Sequence, residues 1–542
     1  MSERTLVIGL DGFTFSVVDR LVADGRMPDI ARLMREGVRA PLESTVMPNS
    51  FPGWTSCTTG CNEGKHGIFM PLVRRADNFS MKAMDATDVR MKTVWEILSD
   101  CGRRSVVVND PCSYPPQRID GWVVSGMTTP DPSVEWTQPE ELKAELLAEV
   151  PDYVVDVNLF GQSRADILEG LVKSADARLR AALWLLGSRE WDLAWITFTE
   201  SDRVQHRFWA DQQPDHPLYN PEFPTAVDDM YVRLDAAVGD LVNAVPEGTR
   251  VFLVSDHGFA PFYCTFDVTG WLIENGYTAQ RAAKAGIKKA LASVGILDEA
   301  VAVYRRLRSA VEPEARHGVD RMRDVEDEAA TGKTYIDVDW SRTTAYATLD
   351  GGIRVNVRGR EPHGVVDASD AERIATEIRD RLAGERFPND EPIFEHVLLA
   401  GECFSGPVAD RGPDVVIPPR TDAFSGPVTG HRFLVDRHRN SGEHGRYGVF
   451  VAWGPGVVPG ATVDAARLID IAPTVLFSLG ERPTTEIDGR VLAELFDESL
   501  RSSRSLDPLG SSAKDASSLD EGLSEDEEAL VEERLRGLGY IE

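Results

Sequence analysis

Three aspartates and three histidines stand at four separate places in the chain, each beside a run of apolar residues. They are Asp11, Asp202 with His206, Asp256 with His257, and His444. Nitrogen and oxygen donors without thiolates suit zinc, with manganese and iron as alternatives, and they do not fit a structural zinc finger. Six such donors are enough for two ions. The composition of these places therefore predicts a two-metal centre.

Each of these places has an ordinary structural alternative when it is taken alone. An Asp-Gly pair after a strand is typical of a turn, and Asp202 and His206, four residues apart, can be a solvated helix face. The coincidence of four places beside apolar runs argues against those alternatives. For the other histidines we expect surface positions or core packing; these are His66, His216, His317, His363, His396, His431 and His438.

The candidate nucleophile is a hydroxyl in the stretch 47–67. Ser50 precedes Phe51-Pro52-Gly53-Trp54, and because proline is tolerated in the first turn of a helix, this run predicts a helix with Ser50 as its N-cap. Free amides at a helix N-terminus favour anions, so a phosphate or sulfate ester fits better than a peptide or a sugar. The alternative is a serine that only caps the helix.

The charge of the chain limits the class of partner. The 542 residues carry a formal net charge of −30, which disfavours nucleic acid and anionic membranes as bulk partners. A small anionic substrate is still compatible with this charge, because bound metal ions can make a pocket locally positive. The sequence leaves the oligomeric state open.

The apolar runs and the cysteines bear on location. No apolar run approaches the roughly 20 residues that span a bilayer. The run Thr5 to Leu10 is too short for a signal peptide, so we expect a cytoplasmic protein. The six cysteines (57, 61, 101, 112, 264 and 403) are scattered without a C-x-x-C pair, and we expect buried thiols, with neither disulfides nor a zinc knuckle.

Apolar strands alternate with helical patterns through the first half of the chain. Strand patterns occur at 5–10, 105–109, 191–198 and 251–254, and helical patterns at 27–37, 91–100, 137–148, 163–188 and 225–244. Strand patterns return at 344–348, 352–357, 414–417 and 448–453, around a helix at 368–383. This alternation predicts an α/β fold with a mostly parallel central sheet covered by helices on both faces. Such a sheet gathers its ligands at the carboxyl ends of its strands.

The composition divides the chain into four parts. We expect the first part of a catalytic core at 1–265, a helical insertion or lid at 266–335, and the second part of the core at 336–500. An acidic, serine-rich linker and a short C-terminal helix follow at 501–542, with a docking role for Leu538, Tyr540 and Ile541 as an alternative to disorder.

The order of the motifs resembles the alkaline phosphatase superfamily, most closely the type I phosphodiesterase and nucleotide pyrophosphatase group in its prokaryotic cytosolic form. The resemblance spans about residues 5–490. The motifs are Asp11-Gly12, Met27-Pro28-Asp29-Ile30, Ser50 through Trp54, Thr59-Gly60, His66-Gly67-Ile68, Asp202-Arg203-Val204-Gln205-His206, Ser255-Asp256-His257-Gly258 and Gly442-Glu443-His444-Gly445. An alkaline-phosphatase-like fold with a helical insertion is what this resemblance implies.

The resemblance also implies roles for individual residues. Asp11, Ser50, Asp256 and His257 would surround one metal ion, and Asp202, His206 and His444 the other. Ser50 stands where the family more often has threonine, and either hydroxyl can attack phosphorus. The implied activity is hydrolysis of phosphate esters, chiefly phosphodiesters or nucleotide-type pyrophosphates, through a phosphoseryl intermediate. Two divalent ions, Zn²⁺ first and Mn²⁺ second, are the implied cofactors.

Related activities remain open. A sulfatase would need arginine at Trp54 and a second aspartate after Asp11, and a cofactor-independent mutase would carry its large insertion soon after Ser50. A phosphomonoesterase is harder to exclude, because Phe69-Met70-Pro71 stands where nucleotide pyrophosphatases have an asparagine.

Two questions concern the site itself. Lys65 and Asn109 are candidate phosphate contacts, although each is more often an ordinary polar loop residue. A catalytically inert metal-binding scaffold is the alternative outside the enzymes, and its weakness is that every ligand position is filled.

Overall fold

The computed structural model describes most of the chain. The described residues are 3–74, 81–157, 159, 162–216, 218–263, 265–280, 338–348, 352–387, 389–420, 433–434, 441–514 and 522–538. Most of the predicted helical insertion at 266–335 therefore lies outside the described residues, as do Cys264, His317, His431, His438, Tyr540 and Ile541.

The strands are given first, in chain order. They are β1 (Thr5–Leu10), β2 (Val38–Glu43), β3 (Leu72–Arg74), β4 (Met81–Ala83), β5 (Ser105–Val108), β6 (Gly121–Val124), β7 (Thr137–Gln138), β8 (Leu193–Phe198), β9 (Arg250–Val254), β10 (Gly258–Pro261), β11 (Thr265–Phe266), β12 (Ala345–Ala347), β13 (Ile353–Val355), β14 (Leu398–Leu399), β15 (Val415–Val416), β16 (Phe433–Leu434), β17 (Gly442–Gly445), β18 (Tyr447–Trp453) and β19 (Ala466–Arg467).

Helices cover the sheet and connect its strands. They are α1 (Phe15–Ala23), α2 (Pro28–Glu36), α3 (Ser50–Thr59), α4 (Glu63–His66), α5 (Val94–Asp100), α6 (Glu141–Glu149), α7 (Arg164–Ser188), α8 (Glu200–Phe208), α9 (Ala226–Ala244), α10 (Val268–Glu274), α11 (Ala368–Ala383), α12 (Ala400–Cys403), α13 (Ile471–Ser478), α14 (Glu498–Ser502) and α15 (Glu525–Leu538).

The central sheet has nine strands among the described residues, in the order β19-β2-β18-β9-β1-β8-β5-β6-β7. β1 runs parallel to both β8 and β9, and β5 runs parallel to β8, whereas β18 is antiparallel to β2 and β9. Leu10 pairs with Phe198 and Gly9 with Val254, so three carboxyl ends meet at one edge. The predicted mostly parallel sheet is confirmed.

Both faces of this sheet are buried against helices. On β1, Leu6 and Ile8 belong to one apolar core, while Val7 between them belongs to another. Because side chains alternate between the faces of a strand, the all-apolar sequence of β1 reflects burial on both sides. The helices α7 and α9 contribute to the first core, and α5 and α13 to the second.

A smaller sheet carries a third core. Its order is β12-β13-β15-β14, and α11 packs on it through Ala375, Ile378 and Leu382. Helix α11 has the bounds expected from the sequence. The domain boundaries at 265, 335 and 500 stay predictions.

Some expectations need correction. Cys101 is exposed and Cys403 half-buried, whereas Cys57, Cys61 and Cys112 are buried as expected. All five carry free thiols.

Within the ranges that the structure covers, no helix is long and apolar enough to cross a membrane.

Candidate active site

The six predicted ligands meet at the carboxyl edge of the central sheet. Asp11 follows β1, Asp256 and His257 follow β9, and Asp202 and His206 lie on α8, which begins directly after β8. His444 arrives from elsewhere in the chain: it lies on β17, which pairs antiparallel with β10 so that His444 stands opposite Phe259. All six residues are buried.

Asp11, Asp256 and His257 form a first cluster of metal-compatible atoms. His257 Nε2 lies 3.2 Å from Asp256 Oδ2 and 3.6 Å from Asp11 Oδ1. Ser50 Oγ lies 3.3 Å from Asp11 Oδ1 and 3.3 Å from His257 Nε2. The structure therefore brings Ser50 to Asp11 and His257, two of the residues with which the family resemblance grouped it.

Asp202, His206 and His444 form a second cluster. Asp202 Oδ1 lies 3.2 Å from His206 Nε2 and 3.3 Å from His444 Nε2. Asp202 and His206 share a helix face, as their spacing predicted. The rings of His257 and His444 have centroids 3.9 Å apart, so the two clusters adjoin.

The three histidines are oriented by backbone carbonyl groups. Each Nδ1 lies 3.0 Å from a carbonyl oxygen, of Gly442 for His206, Pro48 for His444 and Gly258 for His257. A carbonyl oxygen only accepts, so Nδ1 carries the hydrogen and Nε2 of the neutral ring presents a lone pair to the site.

This geometry fits cations. The Nε2 atoms of His206 and His444 are 2.9 Å apart, a separation at which two lone pairs need a proton or a metal ion between them. Asp256 Oδ2 is buried and accepts no hydrogen bond within the described part of the chain. The donor set of nitrogen and oxygen atoms suits zinc or manganese.

The ionisation of these groups also favours positive charge in the site. Burial, followed by the charges of Asp256 and Asp202, raises the pKa of Asp11 well above its usual value. Burial and Asp202 raise the pKa of Asp256 to about 7. Burial works against the charged form of His444, but Glu443 and Asp202 outweigh it and raise the pKa of His444 to about 9. Closely packed carboxylates of this kind need a compensating cation.

The start of α3 differs from the expectation in one respect. Asn49 is the N-cap, its side chain accepting from Phe51 N at 3.1 Å, and Ser50 is the first helical residue. The prediction that Ser50 caps the helix is wrong, because the asparagine amide before it does so and the serine hydroxyl is directed to Asp11 and His257. Gly53 N donates to Asn49 O at 2.8 Å, so the amides of Phe51 and Gly53 are engaged within the helix.

Further groups support the aspartates, and the sequence reasoning missed them. Trp54 Nε1 donates to Asp11 Oδ2 at 3.0 Å, Gly12 N to Asp256 Oδ1 at 3.2 Å, and Arg203 Nη1 to Asp202 Oδ2 at 2.8 Å. Each donor stands within a motif already singled out, but the pairing of Trp54 with Asp11 joins positions 43 residues apart. Only the position of each donor within a motif could have indicated that it supports a ligand.

Lys65 and Asn109 are engaged elsewhere. Lys65 lies on α4, where its Nζ donates to Asp488 Oδ1 and to Glu486 O, both at 2.6 Å. Asn109 is buried with a left-handed backbone (φ 62°), and in the orientation that satisfies its amide it donates to Val155 O at 2.9 Å. These contacts hold both side chains in the scaffold.

His66 has a structural role in the turn after α4. Its Nδ1 accepts from Ile68 N at 3.2 Å and its Nε2 lies 2.9 Å from Ser56 Oγ. Burial lowers the pKa of His66 to about 3, so the ring is neutral and donates to Ser56. Of the two positions expected for this histidine, surface or core, the structure shows the core.

The chain matches one protein-family model. The model for "Type I phosphodiesterase / nucleotide pyrophosphatase" matches residues 5–445. No curated protein sequence matches the chain.

Solved structures give further likenesses. Phosphonoacetate hydrolase from Sinorhizobium meliloti 1021, in complex with phosphonoformate, superposes with a TM-score of 0.52 at 16% identity, covering 88% of this chain and 96% of that one. Murine ectonucleotide pyrophosphatase / phosphodiesterase 5 superposes with a TM-score of 0.47 at 12% identity, covering 91% of this chain and 100% of that one. The first likeness shows a shared fold.

Proposed function

The chain belongs to the type I phosphodiesterase / nucleotide pyrophosphatase family, and on that premise we propose that it cleaves phosphodiesters or nucleotide-type pyrophosphates through a phosphoseryl intermediate at Ser50. Membership makes it a phosphoric ester hydrolase. The observation that carries the finer proposal is the position of Ser50 Oγ, 3.3 Å from both Asp11 Oδ1 and His257 Nε2. A buried serine in such surroundings is a nucleophile's position.

The same residues would hold two divalent ions. Asp11, Ser50, Asp256 and His257 would hold one, and the second cluster, Asp202, His206 and His444, would hold the other. When bound, the ions supply positive charge that lowers the pKa of the attacking hydroxyl and neutralises phosphoryl oxygens. We propose zinc, with manganese as the alternative.

Ser50 would carry out the covalent step. Its hydroxyl gives up its proton to solvent and Oγ forms a bond to phosphorus while the bond from phosphorus to the leaving-group oxygen breaks; that oxygen departs with a proton from solvent. Water then attacks the phosphoseryl group, the phosphorus–Oγ bond breaks, and the serine hydroxyl is restored. The amides of Phe51 and Gly53 already donate to Asn49, so these backbone donors stabilise a bound phosphoryl group less than expected. The dipole of α3 still favours an anion at this end of the helix.

A phosphomonoesterase is the second candidate. The residues after His66-Gly67-Ile68 are apolar, and Phe69 packs edge-on against Phe404 with ring centroids 5.1 Å apart. No asparagine stands in this run, which weighs against a nucleotide substrate. A sulfatase is disfavoured, because Trp54, buried and donating to Asp11, occupies the position at which that activity needs arginine.

Three chromogenic substrates separate these activities. p-Nitrophenyl phosphate, bis-p-nitrophenyl phosphate and p-nitrophenyl sulfate are incubated with metal-loaded protein, with and without chelator. We expect the diester to be cleaved fastest and the chelator to abolish cleavage. Turnover of none of the three by metal-loaded protein would favour the inert scaffold.

The covalent step is tested at Ser50. Ser50→Ala should lose nearly all turnover while it still binds metal, and Ser50→Thr should keep activity. The control is Ser56→Ala on the same helix, which loses only the contact to His66. Acid quench and mass spectrometry should find a phosphoryl group on Ser50 in the wild type. Full activity of Ser50→Ala would exclude the covalent route.

A cytoplasmic location stays a prediction.

A further inference from the structure

The helix α15 near the end of the chain packs on the main core. Its side chains Val531 and Leu535 are fully buried within the first apolar core. Ser524 directly precedes the helix, and its hydroxyl donates to Glu527 Oε2 at 2.7 Å; Tyr114 OH donates to Glu527 Oε1 at 3.3 Å. The sequence predicted a short helix in this part of the chain, and the structure adds that the helix docks on the core.

Arg534 connects α15 to a loop that also contacts the candidate site. Its Nη1 donates to the carbonyl oxygen of Thr129, in the loop that follows β6. Met127, in the same loop, has its Sδ 3.2 Å from Nη2 of Arg203. One loop of a few residues thus touches both the docked helix and the arginine that supports Asp202.

Arg203 lies between two carboxylates. Its Nη1 donates to Asp202 Oδ2 at 2.8 Å and its Nη2 donates to Asp156 Oδ2 at 3.3 Å. The side chains of Arg203, Asp202 and Asp156 are 1%, 0% and 4% exposed, so solvent does little to screen these charges.

Electrostatic interactions also link Arg534 to the surroundings of Arg203. Arg534 interacts electrostatically with Asp156 and Asp131 and is itself repelled by Arg203. Arg534 therefore holds the loop after β6, and that loop contacts the arginine that orients Asp202.

We propose that docking of α15 and divalent-cation binding at Asp202, His206 and His444 are coupled through Arg534 and Arg203, so that this helix regulates the second metal site. The coupling rests on the proposed function only in taking that cluster as a metal site. Because Arg203 orients Asp202 as a ligand, a docked helix that holds Arg203 in place strengthens cation binding. By linkage, a bound cation strengthens docking by the same factor.

Hydrogen exchange on the full chain measures one side of this linkage. Metal-depleted protein is compared with protein loaded with Zn²⁺ alone, and exchange is followed in peptides from 525–538. We expect Zn²⁺ to slow exchange there by about fivefold, the lower end of typical coupling between sites. In His444→Ala, which lacks one ligand of the second cluster, Zn²⁺ should no longer slow it.

Chelator competition measures the other side. Arg534→Ala should weaken Zn²⁺ binding at one of two sites by about the same fivefold factor. Leu535→Ala, which loosens the docked face, should act in the same direction if Arg534→Ala folds poorly. Arg373→Ala is the control for loss of a positive charge, since that side chain is 64% exposed on α11.

The outcomes separate the two proposals. Binding of two Zn²⁺ ions with unchanged exchange in 525–538 overturns the coupling and leaves the hydrolase proposal intact. Wild-type affinity in both Arg534→Ala and Leu535→Ala overturns it as well. Failure to bind any Zn²⁺ or Mn²⁺ overturns the metal-dependent hydrolase and the coupling together.

Discussion

Trp54 offers a sharp test of how the first metal cluster is held. Its indole is fully buried, and Nε1 donates to Asp11 Oδ2 at 3.0 Å. Replacement by phenylalanine keeps a buried aromatic ring and removes that single donor. The carboxylate of Asp11 then loses one of the groups that stabilise its charged form, the form that binds a cation.

The expected loss of zinc affinity follows from the hydrogen bond between Trp54 and Asp11. A hydrogen bond to a charged group contributes about 1.5–3 kcal/mol. Loss of a group that orients a metal ligand typically lowers metal affinity by about 10- to 100-fold, which corresponds to about 1.4–2.7 kcal/mol. The two figures agree, so Trp54→Phe should weaken one Zn²⁺ site about 10- to 100-fold. Turnover at low zinc should fall with it and recover in part at high zinc.

The chain offers a matched control in Trp95. This indole is equally buried in the same apolar core, and its Nε1 has no hydrogen-bond partner within the described residues. Trp95→Phe removes the same volume without touching Asp11. Zinc affinity, measured by chelator competition, should fall in Trp54→Phe alone, whereas both variants should unfold at lower denaturant concentration.

One result would refute the reasoning. If Trp54→Phe and Trp95→Phe bind zinc with wild-type affinity at both sites, the indole does not support Asp11 as a ligand. Equal weakening in both variants would assign the effect to core packing instead.

Three further predictions concern the cations, the start of α3 and acid stability. EDTA should abolish turnover and lower Tm, because the buried carboxylates Asp11 and Asp256 lose their compensating charge, and zinc or manganese should restore both; thermal shift and activity assays check this. Asn49→Ala should lower the free energy of unfolding by about 1 kcal/mol, whereas Asn49→Ser, which can still cap, should not; urea unfolding decides. His66 is neutral in the folded protein and titrates near 6.5 when unfolded, so its contribution is present above pH 6.5 and is lost as pH falls towards about 3. Between pH 6.5 and 5.5 the wild type should therefore lose about 1 kcal/mol more than His66→Gln, and equal losses in urea unfolding would contradict the buried neutral ring.

The local sequence determined β1, β5, β8, β9 and β18 of the central sheet and most of the candidate ligands. The apolar run Thr5 to Leu10 could only be a strand buried on both faces, and parallel strands with acidic ends deliver Asp11 and Asp256 to one edge. Asp202 and His206 share a face because their four-residue spacing matches the helical repeat. These features depend on periodicity and burial, which are written in consecutive residues.

The tertiary structure decided the rest, because it depends on pairing between distant segments. His444 reaches the second cluster only through the antiparallel pairing of β17 with β10, a register that no local pattern specifies. Ser50 Oγ meets Asp11 Oδ1 and His257 Nε2, 39 and 207 residues away in the chain, only because the fold brings β1 and β9 beside the start of α3. The support of Asp202 joins Arg203, Asp156 and, through the loop after β6, Arg534. Buried charges take their partners from wherever the fold brings them, so their pairing follows from the packed chain and not from its order.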